Sequence, residues 1–212
     1  MKIIFAQGNP GKKYEKTRHN VGFLALDALS ATLDASWHES SKFNALIAEA
    51  TVQVKSGNND ASNGGDKNNG GDENNASDEK VLLVKPLSFY NDTGPIARAL
   101  VDFYKIAPAK DLLVIHDELA LPLGTLRLRE KGRDAGNNGI KSLNSHLGQG
   151  YWRIRVGTWT PLRNERDDTD FVLSALTSDE LTLLHEKVYP VIEEFCGDFI
   201  RGKGIGKSVK VE

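Results

Sequence analysis

Residues 111–119, which read DLLVIHDEL, decide the fold class of this chain of 212 residues. The four apolar residues 112–115 form a short run between polar neighbours. Such a run is typical of a strand that is buried on both faces of a sheet. Similar runs at residues 2–7 and 81–84 predict two further strands of the same kind, so helices are expected to cover the sheet.

Segments with helical spacing of apolar residues alternate with these strands. The first of them, residues 21–33, follows Asn20, which is placed as its N-cap. The sequence predicts helices at 21–33, 95–104, 139–147 and 178–200, and strands at 2–7, 44–54, 81–86, 111–116, 126–128 and 152–157. Strands that alternate with helices indicate a three-layer α/β fold. Residues 1–200 are predicted to form a single domain of this class.

Two segments differ in composition from this domain. Residues 55–80 contain no aromatic residue and no Leu, Ile or Val, and they carry six acidic residues against three lysines. Such a segment cannot bury enough apolar surface to offset the entropy of ordering it, so a disordered polar loop is predicted there, at the tip of an expanded hairpin. Residues 201–212 are basic, and a solvated C-terminal tail is expected.

The bulk composition favours a cytoplasmic protein. Hydrophobic residues make up 39% and charged residues 26% of the chain, as is usual for globular proteins. The single cysteine, Cys196, cannot form an internal disulfide and is expected to be a buried apolar residue. The apolar residues before Gly8 are too few for a signal peptide, and no stretch is apolar enough to span a membrane. A monomer without a membrane partner is the default expectation.

Polar residues follow the predicted strands, at the edge of an α/β sheet where ligand sites form. His19 lies at the start of a helix, Asp117 follows the strand predicted at 111–116, and Asn9, Asn91 and Asn138 follow other strands. A neutral histidine can take a proton from water, a carboxylate can fix its tautomer, and amides can donate to a carbonyl that gains charge. Hydrolysis by activated water is therefore predicted, because no serine or cysteine lies in a nucleophile motif.

Other chemistries lack their sequence signals. No glycine-rich phosphate loop supports a nucleotide cofactor, and no Cys/His cluster has the spacing of a metal site. Each polar motif also has an ordinary structural interpretation when it is taken singly. A histidine at a helix start is usually a capping or surface residue, and Gly8-Asn9-Pro10-Gly11 alone is a turn. Their joint occurrence after successive strands is what favours a functional site.

A series of specific motifs runs through residues 1–157, apart from the polar segment 55–80. The motifs are Gly8-Asn9-Pro10-Gly11, Tyr14, Thr17-Arg18-His19-Asn20-Val21-Gly22, Lys85-Pro86, Phe89-Tyr90-Asn91-Asp92-Thr93-Gly94, His116-Asp117-Glu118-Leu119, Leu121-Pro122 and Gly136-Asn137-Asn138-Gly139-Ile140-Lys141. In order and spacing they resemble bacterial peptidyl-tRNA hydrolases. The resemblance implies one α/β domain with a mixed central sheet flanked by helices. It also implies an enzyme that hydrolyses the ester between peptide and tRNA, recycling tRNA in translation, without metal or cofactor.

The resemblance implies a role for each residue of the predicted site. His19 would be the general base that activates water, and Asp117 would orient and polarise it. Asn9 would lie beside His19 and hold the ester or the 3′ end of the tRNA. The expected substrate-binding residues are Tyr14, Tyr90, Asn91 and Asn138.

A basic surface beside this site is expected to grip tRNA phosphate. The formal net charge of the whole chain is −2, so a nucleic acid must be held by a local patch. Arg127 and Arg129 alternate with leucines, which predicts that both guanidinium groups face one side of a strand. The resemblance adds Arg155 and implies a phosphate clamp, for which arginine is well shaped. Without the resemblance, a solvated strand face is an equally good interpretation.

Three positions depart from the pattern of that family. Asn137 stands at the histidine of Gly-His-Asn-Gly, Tyr90 stands at the methionine of Phe-Met-Asn, and Ala6-Gln7 stands at the usual Gly-Leu. An asparagine cannot titrate near neutral pH, so Asn137 cannot act as an acid or a base. The bulkier Tyr90 is expected to change the shape of the peptide pocket.

Two other functions are compatible with parts of the sequence. A non-catalytic RNA-binding relative, as in plastid splicing factors, would use the same basic face but would not need both His19 and Asp117. A small-ester or peptide hydrolase on a similar fold would have no use for three converging arginines. Binding that weakens steeply with salt would indicate nucleic acid.

Overall fold

The computed structural model describes residues 1–55, 76–203 and 206–211, and its centre is an eight-stranded mixed sheet. The strands are β1 Lys2–Ala6, β2 His38–Ser40, β3 Ala45–Lys55, β4 Ala76–Pro86, β5 Leu112–Pro122, β6 Thr125–Arg129, β7 Trp152–Trp159 and β8 Ser208–Lys210. They lie in the order β2-β3-β4-β1-β5-β7-β6-β8. The central strands β4, β1, β5 and β7 are parallel, and the outer strands pair antiparallel to their neighbours.

Helices cover both faces of this sheet. They are α1 Val21–Thr32, α2 Gly94–Tyr104, α3 Pro108–Asp111, α4 Asn138–Leu147, α5 Asp168–Val172, α6 Ser178–Leu183 and α7 Tyr189–Ile200. Because side chains alternate along a strand, Ile4 and Ala6 of β1 pack with the core that includes α1 and α7. Ile3 and Phe5 pack with the core that includes α2 and α4. The two cores confirm the predicted three-layer α/β domain with a mixed sheet.

The last predicted helix, over residues 178–200, is divided in the structure. A π-helical turn, Leu184–Val188, separates α6 from α7. Pro190 lies at the start of α7. A proline has no backbone N–H, and its ring collides with the carbonyl four residues earlier in a regular helix. The π-helical turn lies just before this proline and interrupts the regular helix there.

The structure corrects the predicted limits of the polar loop and the tail. Residues 76–80 were expected in the loop, but they continue β4 and pair with β3 as far as Lys55↔Ala76. Backbone hydrogen bonds hold such a ladder without apolar side chains. The rest of the predicted loop, residues 56–75, lies outside the described residues. The tail is not solvated throughout, because Ser208–Lys210 forms β8 at the edge of β6, with Leu126 opposite Val209.

Two further expectations concern the body of the domain. Cys196 is buried in α7 as expected, and burial raises the pKa of its thiol. In the part of the chain that the structure describes, no helix is long and apolar enough to cross a membrane.

Candidate active site

A cavity of about 460 Å³ lies beyond the carboxyl ends of β1 and β4 and against the second half of β5. Seven of the ten predicted site residues line it: Asn9, Tyr14, His19, Tyr90, Asn91, Asp117 and Asn138. They come from four separate stretches of the chain, which the parallel strands bring to one edge of the sheet. The three predicted clamp arginines lie outside this wall, on β6 and β7.

His19 and Asp117 form a close pair at the floor of the cavity. His19 lies in a short 3₁₀ helix, Arg18–Asn20, that leads into α1, and its Nδ1 is 3.0 Å from Oδ2 of Asp117 on β5. Gly22 allows this approach, since a Cβ there would lie 2.7 Å from the carbonyl oxygens of Gln7 and Ile115. The carboxylate accepts the Nδ1 proton, so Nε2 is the ring nitrogen that can take a proton.

The Asp117 carboxylate stays charged although it is buried. Its side chain is 2% exposed. Burial by itself would raise the pKa of Asp117, but the charge of His19 and the hydrogen bonds from His19 and Tyr90 outweigh it, so the pKa lies below its usual value. An anionic Asp117 can both fix the tautomer of His19 and stabilise the imidazolium that forms when His19 takes a proton.

Tyr90 and Asn137 complete the hydrogen bonding of this pair. The Tyr90 ring lies parallel to the imidazole of His19, with ring centroids 3.5 Å apart. The Tyr90 hydroxyl donates to Oδ1 of Asp117, and Nδ2 of Asn137 lies 3.0 Å from that hydroxyl. We predicted Tyr90 as a substrate-binding residue, but its side chain is buried and its hydroxyl is bonded within the protein.

Asn9 is held beside the pair with its nitrogen towards the cavity. Its Oδ1 accepts from the backbone N–H of Tyr90 at 2.9 Å. The Asn20 side chain fixes the Asn9 backbone, accepting from its N–H at 2.8 Å and donating to its carbonyl at 2.9 Å. Because Oδ1 is engaged, the amide nitrogen of Asn9 is the group left to donate to a ligand.

The rim of the cavity carries unengaged polar groups. Asn91 and Asn138 are exposed, and neither side chain makes a hydrogen bond to a residue that the structure describes. Tyr14 is half-buried and packs edge-on against Phe89, with centroids 6.5 Å apart. These amides are placed to bind a polar ligand that enters the cavity.

Sequence analysis did not identify the apolar part of the wall. Phe89 is 58% exposed, and Leu173, after α5, is 38% exposed; both line the cavity. Arg163 ties this side to the sheet, because it donates to the Leu119 carbonyl at 3.0 Å and pairs with Asp168. The one feature of the sequence that points to this apolar wall is Phe89, which lies in the same motif as Asn91. Residues 161–173 carry no motif.

The predicted clamp arginines share a face of the sheet but differ in their contacts. Leu126 and Leu128 are buried, and Arg127 pairs in register with Arg155 of β7. Arg127 is exposed. Arg155 lies 3.6 Å from the Glu118 carboxylate. Arg129 donates to the Lys207 carbonyl and the Ser208 hydroxyl, both at 2.8 Å, so β8 already engages it.

Comparison with known proteins identifies the family of this chain. The sequence profile of the peptidyl-tRNA hydrolase family matches residues 3–210. The chain belongs to this family. A peptidyl-tRNA hydrolase of Fusobacterium nucleatum is 39% identical over 186 residues, covering 88% of this chain and 83% of the relative. One from Listeria welshimeri is 43% identical over 166 residues, covering 78% and 76%.

Solved peptidyl-tRNA hydrolases have the same fold. The crystal structure of the enzyme from Acinetobacter baumannii matches with a TM-score of 0.76 at 26% identity, covering 96% of this chain and 90% of that one. Of the three departures from the family pattern, Gln7 leaves the backbone regular, since its N–H donates to the Ile115 carbonyl at 2.9 Å. The other two, Tyr90 and Asn137, are adjacent in space.

Proposed function

We propose that this chain hydrolyses the ester bond between peptide and tRNA in peptidyl-tRNA, by direct attack of a water molecule that His19 activates. The observation that carries the proposal is the contact of 3.0 Å between His19 Nδ1 and Asp117 Oδ2 at the floor of a cavity. The described residues that line this cavity include no serine or cysteine, which favours water as the nucleophile over a covalent intermediate. Family membership supports the choice of substrate.

The proton moves through His19 in two steps. Nε2 takes a proton from water as its oxygen attacks the ester carbonyl carbon, and Asp117 stabilises the imidazolium that results. The tetrahedral intermediate collapses by breaking the bond to the 3′ oxygen of the ribose, which receives the proton from His19. The products are a free peptide acid and a tRNA with its 3′ hydroxyl restored.

Asparagine amides supply hydrogen-bond donors for the carbonyl oxygen as it becomes negative. Asn9 has its Oδ1 engaged by the Tyr90 backbone, so Nδ2 can donate to the oxygen that becomes negative. Asn91 and Asn138 are exposed at the rim, where they can bind the peptide main chain. Tyr14 adds an aromatic surface to the same side.

The basic surface on β6 and β7 is proposed to bind tRNA phosphate. Arg127 and Arg155 are cross-strand neighbours, and Arg129 follows on the same face of β6. Arg127 is exposed and carries a guanidinium suited to bidentate phosphate contact. The proposed place of action is the cytoplasm, where translation produces peptidyl-tRNA; the monomeric state stays a prediction.

The first experiment compares release of free peptide from an N-blocked aminoacyl-tRNA by the wild type and by His19→Ala. We expect release by the wild type and a loss of about a hundredfold or more in the variant, because a positioned general base contributes on this order. A matched control is His38→Ala, since His38 is exposed on β2. Undiminished release by His19→Ala would refute His19 as the base. Binding of tRNA without release by the wild type would indicate an RNA-binding relative.

A further inference from the structure

Tyr90 contacts both members of the His19–Asp117 pair. Its hydroxyl donates to Oδ1 of Asp117, the carboxylate oxygen that His19 does not use. Its ring is stacked on the imidazole, with an angle of 11° between the planes. The whole residue is 2% exposed. A side chain in this position restricts rotation of the carboxylate and of the histidine ring at the same time.

Asn137 sets the direction of the hydrogen bonds in this cluster. It is the N-cap of α4, and its Oδ1 accepts from the backbone N–H of Ile140 at 3.0 Å. A backbone N–H only donates, so the orientation of the amide is settled. Its Nδ2 then faces the Tyr90 hydroxyl at 3.0 Å. Because an amide nitrogen is also only a donor, the hydroxyl must accept there and its one proton must point to Asp117.

We propose that Asn137 and Tyr90 form a hydrogen-bonded chain that positions Asp117, and through it holds His19 with Nε2 directed to the reacting water. This inference rests on the proposed function, in which His19 is the general base. Tyr90 is thereby a positioning residue rather than a direct substrate contact. Each oxygen of the carboxylate has one directional donor, Tyr90 on Oδ1 and His19 on Oδ2.

The surroundings keep Tyr90 in its donor form. Burial and the charge of Asp117 raise the pKa of Tyr90 well above its usual value. Gly139 lets the start of α4 approach, because a Cβ there would lie 2.8 Å from the Tyr90 carbonyl oxygen. The two departures from the family pattern therefore act together: the tyrosine supplies a donor that a methionine lacks, and the asparagine orients it.

The test removes the hydroxyl alone. Tyr90→Phe keeps the stacked ring and loses the hydrogen bond to Asp117, so we expect kcat for peptide release to fall about tenfold, the usual effect of losing one bond to a buried charge. KM should stay within about twofold, since the substrate does not contact the hydroxyl. Asn137→Ser keeps an N-cap side chain but loses the amide donor. The fall in kcat for Asn137→Ser should be smaller than that for Tyr90→Phe. The kcat of the double variant, Tyr90→Phe with Asn137→Ser, should fall no further than that of Tyr90→Phe alone.

A control separates positioning from stability. Tyr151→Phe also deletes a buried tyrosine hydroxyl, which donates to Asn144 Oδ1 at 2.8 Å outside the cavity. It should lower Tm by a similar amount and leave kcat unchanged. The acid limb of the kcat/KM profile should move to higher pH in Tyr90→Phe only, because a carboxylate that has lost a donor attracts the His19 proton more strongly. The other charged residues of the cavity wall, Glu118, Arg163 and Asp168, are unchanged in both variants.

The outcomes distinguish this inference from the proposed function. If the wild type releases peptide and Tyr90→Phe retains both its kcat within twofold and its pH profile, the positioning role is overturned while the hydrolase stands. If the wild type releases no peptide, the proposed function fails. Titration of the His19 ring resonances by NMR then still tests the hydrogen-bonded chain from Asn137 through Tyr90 to Asp117. A titration that is identical in wild type and Tyr90→Phe would then reject it; a shift in Tyr90→Phe alone would support it.

Discussion

Two groups of polar residues, one inside the cavity and the other at its rim and on β6, differ in how far hydrogen bonds and ion pairs within the protein engage them. The inner group, His19, Asp117, Tyr90 and Asn137, is bonded internally from end to end. The outer group, Asn91, Asn138 and Arg127, is exposed and makes no hydrogen bond or ion pair to a described residue.

Under the proposed function, this difference separates the residues of the chemical step from the residues that bind substrate. A general base must be held in one geometry and one tautomer, which internal hydrogen bonds and burial provide. Groups that bind a ligand need unused donors, because a donor already engaged in the protein must be released first. Changes to the inner group should therefore act on kcat and on stability, whereas changes to the outer group should act on KM.

The largest expected effect tests the inner group through its carboxylate. In Asp117→Asn, the amide can turn its nitrogen towards His19 and favour the wrong tautomer, so kcat should fall about 10²- to 10⁴-fold with little change in KM. Steady-state kinetics with the N-blocked aminoacyl-tRNA measures kcat and KM. Asp102→Asn, at an exposed position of α2, is the matched control. A rise in KM alone would place Asp117 with the outer group.

The next largest effect concerns the free energy of unfolding and involves His116, the residue before Asp117 in the sequence. The pKa of His116 is lowered from 6.5 to about 4. Burial is the largest cause, and the positive charges of Arg153 and Arg155 act in the same direction. The opposing influence of Asp117 is smaller. The unfolded chain thus binds a proton between these pH values that the folded chain does not, so stability falls as pH drops from about 6.5 to 4, by about 3 kcal/mol in total.

Chemical denaturation across this pH range measures the effect. His116→Gln keeps a side-chain donor for the Asp117 carbonyl, which His116 Nδ1 contacts at 2.7 Å, and removes the titration. The pH dependence of its unfolding free energy should be flatter than that of the wild type. His38→Gln should keep the wild-type slope. Equal slopes for wild type and His116→Gln would show that folding does not lower the pKa of His116.

The smallest effect tests the outer group. Arg127→Gln should raise KM about tenfold at moderate salt and reduce the slope of log K against log salt by about one, since one phosphate contact is lost. Its kcat should not change. Binding of tRNA measured at several salt concentrations, with Arg98→Gln on α2 as the control, gives the slope. An unchanged slope would remove Arg127 from the proposed clamp.

The sequence predicted the strands that position the site, because buried parallel strands are short apolar runs with polar residues at their ends. It also placed His19 and Asp117 as a pair, which the structure confirms at 3.0 Å. It missed Leu173 of the cavity wall, since the short helix α5 carries no motif. It also missed the engagement of Arg129 by β8, because pairing with a strand edge depends on backbone groups and leaves little trace in side-chain pattern.

Composition and periodicity by themselves determined the α/β fold class, because these properties are local and repeat with the period of each element. The order and spacing of the motifs carried the resemblance to the family, and that resemblance predicted the residues of the candidate site. Only the tertiary structure decided how Tyr90 and Asn137 are used. In the sequence, Tyr90 is only a bulkier side chain than the usual methionine, and Asn137 is only a group that cannot titrate where the family has a histidine. In space, the N-cap of α4 fixes the amide, the amide fixes the hydroxyl, and the hydroxyl reaches Asp117. The directions of hydrogen bonds between residues 27 and 47 positions apart depend on packing, and no local pattern contains them.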